Sequence, residues 1–375
     1  MIKKIIKTAL SRIPLRKLIV FESIPNLSDN PQAVFNEMLR RNLNETYRFV
    51  WIVRGKDGSL PKIKHVTYCD KDSKFYKFKL LYYRIFAKAL ISCNDFLVTL
   101  RKGQTSFYLT HGTAIKSVRN YYNVPDNIDY TLIDGEATKQ IMSYELNVPS
   151  EKVVALGYPR NDILVNAGRD LHSLFPGHEQ DKIVVWYPTF RQHKNGMQHL
   201  QSYALPILHD EEQAKKLNKI AKDNGVLIIL KPHFAQDVSQ IKACHLSHIH
   251  FIEDSFFVAN NLTSYEFIAG CDALLTDYSS VYYDYLLCDK PIGLVWEDYE
   301  TYKSTVHFAV DMEYYMKAGE KIYSLSDFEL FLKNLTLGND TLKNQRAEIC
   351  SWANFAKDGK SAERVTDFIL EKAGI

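Results

Sequence analysis

The sequence lacks the features that mark several large classes of protein. It has only six cysteines among 375 residues, and none stand in a C-x-x-C pair, which argues against a disulfide framework or a cysteine zinc site. No apolar run approaches the ~20 residues needed to cross a bilayer. With a formal net charge of only +3, the chain is not expected to bind nucleic acid. These absences favour a cytoplasmic protein with reduced thiols.

The common nucleotide-binding signatures are also missing. No G-x-G-x-x-G follows the first predicted strand, and no G-x-x-x-x-G-K-[ST] occurs anywhere in the chain. Enzymes that use a nicotinamide cofactor or a P-loop are therefore disfavoured.

What is present is an alternation of short β-rich runs and helical patterns, which is typical of parallel sheets with crossover helices. Strands are predicted at 17–21, 48–53, 65–69, 89–92, 105–110, 130–133, 153–156, 182–186, 226–230, 250–252, 273–276 and 292–295. Helices are predicted at 31–41, 73–87, 136–146, 210–224, 264–269 and 280–287.

The length and one polar stretch predict the domain organisation. A chain of 375 residues fits two domains of about 150 to 200 residues, and the polar segment 166–181 is the predicted link. We expect Rossmann-like domains at 1–165 and 166–340, and a helical segment at 341–375 that packs back on the first domain. Two such α/β domains, with parallel sheets facing an interdomain cleft, would bring strand-end loops from both sides to one ligand.

The segment A-L-L-T-D-Y-S-S, residues 273–280, is the strongest local signal. An apolar strand runs into Asp277, and Ser279 and Ser280 follow at the start of a predicted helix. Serine hydroxyls and free N–H groups at a helix start attract phosphate, so the two serines are predicted to hold one. Asp277 would fix hydroxyls or orient a partner. A capped helix without a ligand is the structural alternative.

The segment Y-L-T-H-G-T, residues 108–113, places an imidazole at another strand end. Gly112 lets the chain turn tightly after His111, and Thr113 is predicted to cap a following helix. An unperturbed imidazole pKa of about 6.5 suits removal of a proton from a hydroxyl near neutral pH. His111 is therefore a candidate general base, although a purely structural histidine would fit the same pattern.

Two further strand ends carry cationic side chains. In I-I-L-K-P-H-F, Lys231 and His233 emerge together and could neutralise a diphosphate or protonate a leaving phosphate. In W-Y-P-T-F-R, Thr189 and the forked guanidinium of Arg191 are candidate phosphate ligands. The alternative in the first segment is that both side chains lie in water.

The segment G-Y-P-R-N-D, residues 157–162, lies close to the predicted link. Arg160 would either hold this loop through Asp162 or reach the ligand. No Asp-x-Asp pair and no His/Cys cluster stands among these candidate loops. We therefore predict a reaction without a metal ion or another cofactor.

Taken in order, these segments resemble the CDP-glycerol glycerophosphotransferase family, the primases and polymerases of teichoic acids and related capsular polymers. The likeness covers nearly the whole chain. Its motifs are V-F-E-S (20–23), S-D-N-P (28–31), H-G-T, G-Y-P-R-N-D, P-T-F-R, T-D-Y-S-S and D-G-K-S-A-E-R (358–364). H-G-T or T-D-Y-S-S alone would be a weak sign, whereas the ordered set is specific.

The resemblance implies a GT-B fold with the active site between two Rossmann-like domains, and a CDP-polyol donor that releases CMP. It implies that His111 activates the acceptor hydroxyl and that His233 is a second essential imidazole. It also implies that Ser279 and Ser280 hold donor phosphate. The residues implied on the nucleotide side are Asp277, Thr189 and Arg191.

The sequence departs from the family pattern at two positions. Ala114 stands where proline usually follows H-G-T, and Phe234 stands where a second proline often follows the strand-end histidine. Neither change removes a reactive group, but both could reshape the polyol pocket, so CDP-glycerol and CDP-ribitol both stay open as donors. The length matches the catalytic core alone and favours single addition to a lipid-linked glycan or polymer acceptor.

Residues 71–90 are unusually basic and aromatic. On a helix, one side would carry Phe75, Phe78, Tyr82, Ile85 and Phe86, and the flanks would carry Lys74, Lys77, Arg84 and Lys88. Such a helix can rest on an anionic bilayer, or its aromatic side can face the protein core. The first alternative predicts a cytoplasmic enzyme attached peripherally to the inner face of the membrane.

Two other functions stay open on the sequence alone. A GT-B glycosyltransferase would use a nucleotide sugar and break a C–O bond, and a scaffold protein would keep the fold without activity. The resemblance argues against the first, and the intact histidines and serines argue against the second.

Overall fold

The computed structural model describes residues 13–375 apart from 56–59, 167, 190, 192–204, 233–235 and 237. The chain divides into two compact units. Unit 1 contains residues up to Thr113, Val118–Asp162 and Ala353–Ile375, and unit 2 contains Ala114–Ser117 and Ile163–Trp352.

The helices and strands alternate along both units. The first part of the chain forms β1 (Leu18–Glu22), α1 (Asp29–Arg40), β2 (Arg48–Val53), β3 (Val66–Asp70), α2 (Tyr76–Phe86), β4 (Ala89–Ser92), β5 (Thr105–Tyr108), β6 (Tyr130–Ile133), α3 (Lys139–Glu145) and β7 (Val153–Ala155). The next part forms β8 (Lys182–Trp186), α4 (Glu211–Asp223), β9 (Val226–Leu230), α5 (Ser239–Lys242), β10 (Ile249–Phe251), α6 (Asp254–Ala259), α7 (Ser264–Gly270) and β11 (Ala273–Thr276). The last part forms α8 (Val281–Tyr285), β12 (Ile292–Val295), α9 (Tyr299–Thr305), α10 (Met312–Tyr315), β13 (Glu320–Ile322), α11 (Leu325–Leu337), α12 (Lys343–Ala353) and α13 (Ser361–Ala373).

Each unit is built around one parallel sheet. The strand order is β3-β2-β1-β4-β5-β6-β7 in unit 1 and β10-β9-β8-β11-β12-β13 in unit 2. Counted from its own first strand, each order begins 3-2-1-4-5-6, which is the Rossmann order. In such sheets a ligand binds outside the carboxyl ends of the two strands where the order reverses. These strands are β1 and β4 in unit 1, and β8 and β11 in unit 2.

The strands are apolar on both faces because helices cover both sides of a parallel sheet. In unit 1, the ring of Phe21 lies 5.2 to 5.6 Å from the rings of Phe35, Phe49 and Trp51. Full burial of each such side chain contributes about 1.5–3 kcal/mol. The C-terminal helix α13 places Val365 and Ile369, one turn apart, in this same core.

In unit 2 the covering helices follow the same logic. The Asp210 side chain caps α4 by accepting a hydrogen bond of 2.9 Å from the Gln213 N–H. The helix then buries Ala214, Leu217 and Ala221 against β8 and β9, with the spacing of one helical face.

The predicted α/β class with Rossmann-like parallel sheets is confirmed, and every predicted strand is present. The sequence reading missed β13, and it missed the helices α5, α6 and α9 to α11. The segment 341–375, predicted as one helical region, contains two helices. All of α12 except Ala353 lies in unit 2, whereas α13 lies in unit 1.

Helix α2 settles which side of the basic, aromatic segment faces the protein. Phe78 is 75% exposed, and Phe75, Leu81 and Tyr82 are also exposed. The opposite side packs on the core of unit 1 through Tyr76, Leu80, Tyr83 and Phe86. The predicted grouping was therefore wrong for Phe86, which faces the core, whereas an exposed apolar strip remains.

Among the described residues, none of the helices is both long enough and apolar enough to cross a membrane.

Candidate active site

His111 stands just beyond the carboxyl end of β5, where the backbone takes an unusual conformation. Thr110 has a φ of +43°, which is rare for a β-branched residue and typical of functional loops. The Thr110 hydroxyl donates to the carbonyl of Leu132 at 2.8 Å and is hydrogen-bonded to the Tyr158 hydroxyl at 3.0 Å. These bonds hold the turn that presents the exposed imidazole.

The imidazole is fixed in one orientation. His111 Nδ1 lies 3.2 Å from the carbonyl oxygen of Cys93, at the end of β4. A carbonyl oxygen only accepts hydrogen bonds, so Nδ1 carries the proton and Nε2 of the neutral ring keeps its lone pair. That arrangement is the one required of a general base acting through Nε2.

Asn30, from the S-D-N-P segment, holds the peptide groups just before His111. Its side chain is fully buried and donates to the carbonyls of Leu109 and Thr110 at 3.0 and 3.1 Å. Its Oδ1 accepts the N–H of Arg160 at 3.2 Å. Asn30 therefore joins three segments, and sequence reasoning quoted its motif without identifying this role.

Arg160 lies beside the H-G-T backbone. Its Nη1 donates to the Asp29 carboxylate at 2.8 Å and to the carbonyl of His111 at 3.0 Å. The predicted alternatives were a bond to Asp162 or contact with the ligand. The ion pair with Asp29, in which the Arg160 side chain is only 7% exposed, adds a role in positioning His111.

Asp162 acts at the start of helix α13. Its carboxylate accepts the N–H groups of Ser361 and Ala362 at 2.7 and 2.8 Å, which caps that helix. Burial raises the pKa of this carboxyl against the lowering effect of these hydrogen bonds. Nearby Gly157 has a φ of +83°, and a Cβ there would stand 2.3 Å from Ser361 Oγ, so only glycine fits.

Gly112 makes the predicted turn after His111, but the chain beyond it does not form the predicted helix. Gly112 has a φ of +149°, as the expected tight turn requires. Thr113 is buried, but no helix follows it, so its predicted role as a helix cap is wrong. The chain instead continues into Ala114–Ser117, where Lys116 forms an antiparallel bridge with Phe308 of unit 2.

Glu22, of the V-F-E-S segment, is a second residue that sequence reasoning missed. It is buried at the end of β1, where the strand order of unit 1 reverses. Its Oε2 accepts the N–H groups of Asn94 and Asp95 at 3.2 and 2.9 Å, and burial raises the pKa of its carboxyl. It thereby fixes the turn after Cys93, whose carbonyl orients the imidazole of His111.

In unit 2, the strands β8 and β11 end side by side at the reversal point of the sheet. Asp277, after β11, accepts hydrogen bonds from the backbone N–H and the hydroxyl of Thr189, at 3.0 and 2.6 Å. Both side chains are buried. Their mutual hydrogen bonds join the loop after β8 to the loop after β11 and so hold the two loops together.

The side chain of Arg191 also forms ion pairs with buried carboxylates of the protein. Its side chain is 0% exposed and pairs with Asp277 at 2.8 Å and with Asp298 at 2.6 Å. Burial alone would lower the pKa of the guanidinium, but the two carboxylates raise it further above its usual value. The guanidinium also lies over the rings of Tyr278 and Tyr302. This full burial and pairing favour a structural role for Arg191 over the expected role as a phosphate ligand.

Ser279 and Ser280 follow Asp277 on the same loop and are half-exposed. Ser280 stands directly before α8, and its side chain makes no capping hydrogen bond, which disfavours the alternative of a serine-capped helix. Helix α8 has only five residues, so its dipole contributes little. Within the part of the chain that the structure describes, both hydroxyls are available to a ligand at the reversal point of the sheet.

Lys231 follows β9, on the other side of β8. Its Nζ pairs with the Asp254 carboxylate at 3.0 Å, and this carboxylate is 66% exposed. The Tyr187 hydroxyl, buried nearby, has no hydrogen-bond partner among the described residues. The Lys231 ammonium could release the exposed carboxylate of Asp254 and bind a phosphate in its place. His233, the predicted second imidazole, lies outside the described residues.

Lys116 is a further cation that sequence reasoning did not single out. It belongs to unit 2, and its charge interacts favourably with Asp277 and unfavourably with Arg191. Burial lowers the pKa of its ammonium, and the nearby Asp277 opposes this effect. Its place in the H-G-T-A-I-K segment was visible in the sequence, but its neighbours were not.

The comparisons with known proteins agree with the family resemblance. The chain matches the CDP-Glycerol:Poly(glycerophosphate) glycerophosphotransferase family over residues 5–371. A teichoic acid poly(glycerol phosphate) polymerase of Staphylococcus epidermidis is 24% identical over 320 residues, which are 73% of this chain and 39% of the relative. A teichoic acid ribitol-phosphate primase of Bacillus spizizenii is 26% identical over 261 residues, 66% of this chain and 60% of the relative.

A solved structure of the wall teichoic acid polymerase TagF has the same fold. It matches with a TM-score of 0.72 at 21% identity and covers 99% of this chain and 93% of that one. The chain spans about two fifths and three fifths of the length of the two curated relatives above. Since the family match extends over residues 5–371, the chain belongs to the CDP-glycerol:poly(glycerophosphate) glycerophosphotransferase family.

Proposed function

We propose that this chain transfers a polyol phosphate from CDP-glycerol or CDP-ribitol to a hydroxyl group of a glycan or polymer acceptor, and that it releases CMP. The observation that carries the proposal is the imidazole of His111. Its Nδ1 is held by the Cys93 carbonyl and its side chain is exposed, which leaves Nε2 to accept a proton. Family membership supplies the class of donor.

In the proposed reaction, Nε2 of His111 removes the proton of the acceptor hydroxyl as its oxygen attacks the phosphorus that carries the polyol. A new P–O bond forms, and the bond from this phosphorus to the bridging oxygen breaks. The electron pair leaves with CMP. The transferred group carries dispersed negative charge in the transition state, so catalysis consists of positioning and charge stabilisation.

The donor phosphates need hydrogen-bond donors and positive charge. We assign these roles to Ser279, Ser280 and Lys231, with Lys116 as a further cation. His233 would be the second imidazole that the family motif implies, and it would assist departure of CMP. Asp277, Thr189 and Arg191 would hold the loop that carries the serines.

The polyol and the acceptor remain part of the proposal. The relatives include a poly(glycerol phosphate) polymerase and a ribitol-phosphate primase, so both polyols have a precedent in teichoic acid synthesis. We propose that the acceptor is lipid-linked. Because such an acceptor stays in the bilayer, we propose that the enzyme acts at the inner face of the membrane.

The purified full chain tests this function directly. It is incubated separately with CDP-glycerol, CDP-ribitol and a panel of nucleotide sugars, each with a lipid-linked disaccharide or a longer polyol-phosphate polymer, and the free nucleotides are separated by chromatography. CMP that accumulates with one CDP-polyol and depends on the acceptor supports the proposal. Turnover of a nucleotide sugar alone would overturn it.

Removing both serine hydroxyls is expected to weaken use of the donor. The double variant Ser279→Ala with Ser280→Ala should raise the KM for the CDP-polyol about tenfold or more, because each hydrogen bond to a charged group is worth about 1.5–3 kcal/mol. Steady-state kinetics measure this change. Ser326→Ala, an exposed serine of the same unit, is the matched control and should leave KM unchanged. An unaltered KM in the double variant would remove the serines from the donor site.

Helix α2 supports the membrane part of the proposal. Its exposed strip combines apolar side chains with Lys77 and Lys79, Lys74 is exposed just before the helix, and no residue of the helix is buried. An interfacial helix needs this combination of apolar contact and attraction to anionic lipid. We infer that this strip rests on the bilayer surface.

The variant Phe78→Ser with Leu81→Ser is expected to reduce binding to vesicles rich in anionic lipid by about tenfold or more. Each side chain would lose about 1.5–3 kcal/mol of apolar burial at full insertion, and partial insertion gives less. Flotation with vesicles measures the bound fraction. Leu330→Ser, which removes an equally exposed leucine from α11 of unit 2, should bind as the unmodified chain does. Equal loss in both variants, or none in the first, would contradict a role for α2.

A further inference from the structure

Unit 2 contains a cluster of imidazoles and a carboxylate that the proposed reaction does not use. His178 and Asp181 lie in the loop before β8, and His248 lies directly before β10. Asp181 Oδ2 is 2.6 Å from His178 Nδ1 and 3.5 Å from His248 Nε2. One ligand atom from each of the three residues falls within 4.8 Å of the others.

The cluster is largely buried, and groups outside it hydrogen-bond to His248 and to the backbone of Asp181. The side chains of His178, Asp181 and His248 are only 11%, 17% and 14% exposed. Ser247 Oγ lies 2.9 Å from Nδ1 of His248, which directs Nε2 toward Asp181. The ring of His172 donates from Nε2 to the Asp181 carbonyl at 3.0 Å. A histidine that binds a metal through one nitrogen commonly hydrogen-bonds through the other, as His248 does.

We propose that His178, Asp181 and His248 bind a zinc ion. Imidazole nitrogen and carboxylate oxygen are ligands that zinc accepts, and two histidines with one acidic residue form a known type of three-ligand zinc site. Ligands at zinc distances in a tetrahedron stand about 3.3 Å apart, so modest side-chain rotations within this cluster suffice. Water would take the fourth position.

The place of the cluster in the sheet indicates what the ion would do. Asp181 and His248 precede β8 and β10, so they lie at the amino ends of the strands, whereas Thr189 and Asp277 follow the carboxyl ends. Strand β9 runs between β8 and β10. Zinc would therefore link the amino ends of β8 and β10, which flank β9, at the edge of the sheet opposite the phosphate-binding loop. Zinc binding at this edge does not depend on the proposed function.

Titration of the metal-free full chain tests the site. With cobalt(II) as a spectroscopic probe, and with zinc in competition, one ion should bind per chain. The visible bands should be those of a tetrahedral nitrogen and oxygen site, without the sulfur-to-metal charge-transfer bands of a cysteine site. His248→Ala and Asp181→Asn should each weaken zinc binding at least about tenfold, since loss of even a supporting group costs 10–100-fold.

His245→Asn is the matched control, because this exposed histidine of the same unit lies outside the cluster and its φ of +48° suits asparagine. It should bind zinc as the unmodified chain does. Circular dichroism of each metal-free variant checks the fold, and Asp181→Asn, which keeps the shape of the side chain, serves where His248→Ala unfolds. The proposal fails if no ion binds more tightly than micromolar, if the folded variants bind normally, or if cysteine charge-transfer bands appear.

Discussion

Replacing His111 by alanine is expected to lower kcat by about 10²-fold or more and to leave binding of the CDP-polyol nearly unchanged. A positioned general base contributes about 10²–10⁴-fold, and its effect appears in the transition state because the proton moves only there. The imidazole has no other described partner than the Cys93 carbonyl and the ring of Tyr122, so its removal leaves the donor loop of unit 2 intact. Single-turnover kinetics and calorimetric titration with the donor separate the two effects.

The matched control for this experiment is His65→Asn. His65 is also an exposed histidine of unit 1 whose Nδ1 bonds to a backbone carbonyl, that of Asn44 at 2.8 Å, but it precedes β3 at the amino edge of the sheet. Its φ of +59° suits asparagine. This variant should turn over normally. A His111→Ala enzyme with unchanged kcat would remove His111 from the mechanism, and one with equally weakened donor binding would make it a binding residue instead.

Replacing Arg191 by methionine is expected to destabilise unit 2 by about 3–5 kcal/mol, because it leaves the buried carboxylates of Asp277 and Asp298 without their cation. Both carboxylates bond to a guanidinium that is wholly inaccessible to solvent. Removing the cation leaves these carboxylates with unbalanced negative charge in surroundings of low polarity. Chemical denaturation, followed by the intrinsic tryptophan fluorescence to which Trp186 and Trp296 of the same unit contribute, measures the loss.

The outcome distinguishes a structural role of Arg191 from the phosphate-binding role expected from the sequence. A structural cation predicts that stability falls even without any donor. A phosphate ligand predicts normal stability of the free protein and weakened donor binding alone, and that result would contradict the structural role. Arg40→Met removes an exposed arginine whose partner Glu37 keeps a second cation, Arg41, so it should change stability little.

The sequence predicted the strands well because the parallel strands of both units are near-continuous apolar runs separated by polar turns. It failed at β13, a three-residue edge strand whose residues Glu320 and Lys321 carry no apolar signal. It also failed after Thr113, where local capping chemistry favours a helix. There the bridge from Lys116 to Phe308 draws the chain into an irregular path instead.

The sequence predicted which strand ends carry the site, but it could not predict the contacts among the site residues. Arg191 and Asp277 stand 86 positions apart, so nothing local reveals that they neutralise each other. The roles of Asn30 and Glu22 depend on the meeting of β1, β4 and β5 at one edge. The cluster of His178, Asp181 and His248 was missed for the same reason, since its ligands join only through the order of β8, β9 and β10.

The central claim is that the chain breaks a P–O bond of a CDP-polyol, and the identity of the released nucleotide tests it most directly. The full chain is incubated with CDP-glycerol, with CDP-ribitol in a parallel reaction, and with a lipid-linked acceptor, and the nucleotide is resolved by chromatography. We expect CMP, in an amount equal to the polyol phosphate gained by the acceptor, and its loss in His111→Ala. Release of CDP, or transfer only from nucleotide sugars, would contradict the claim.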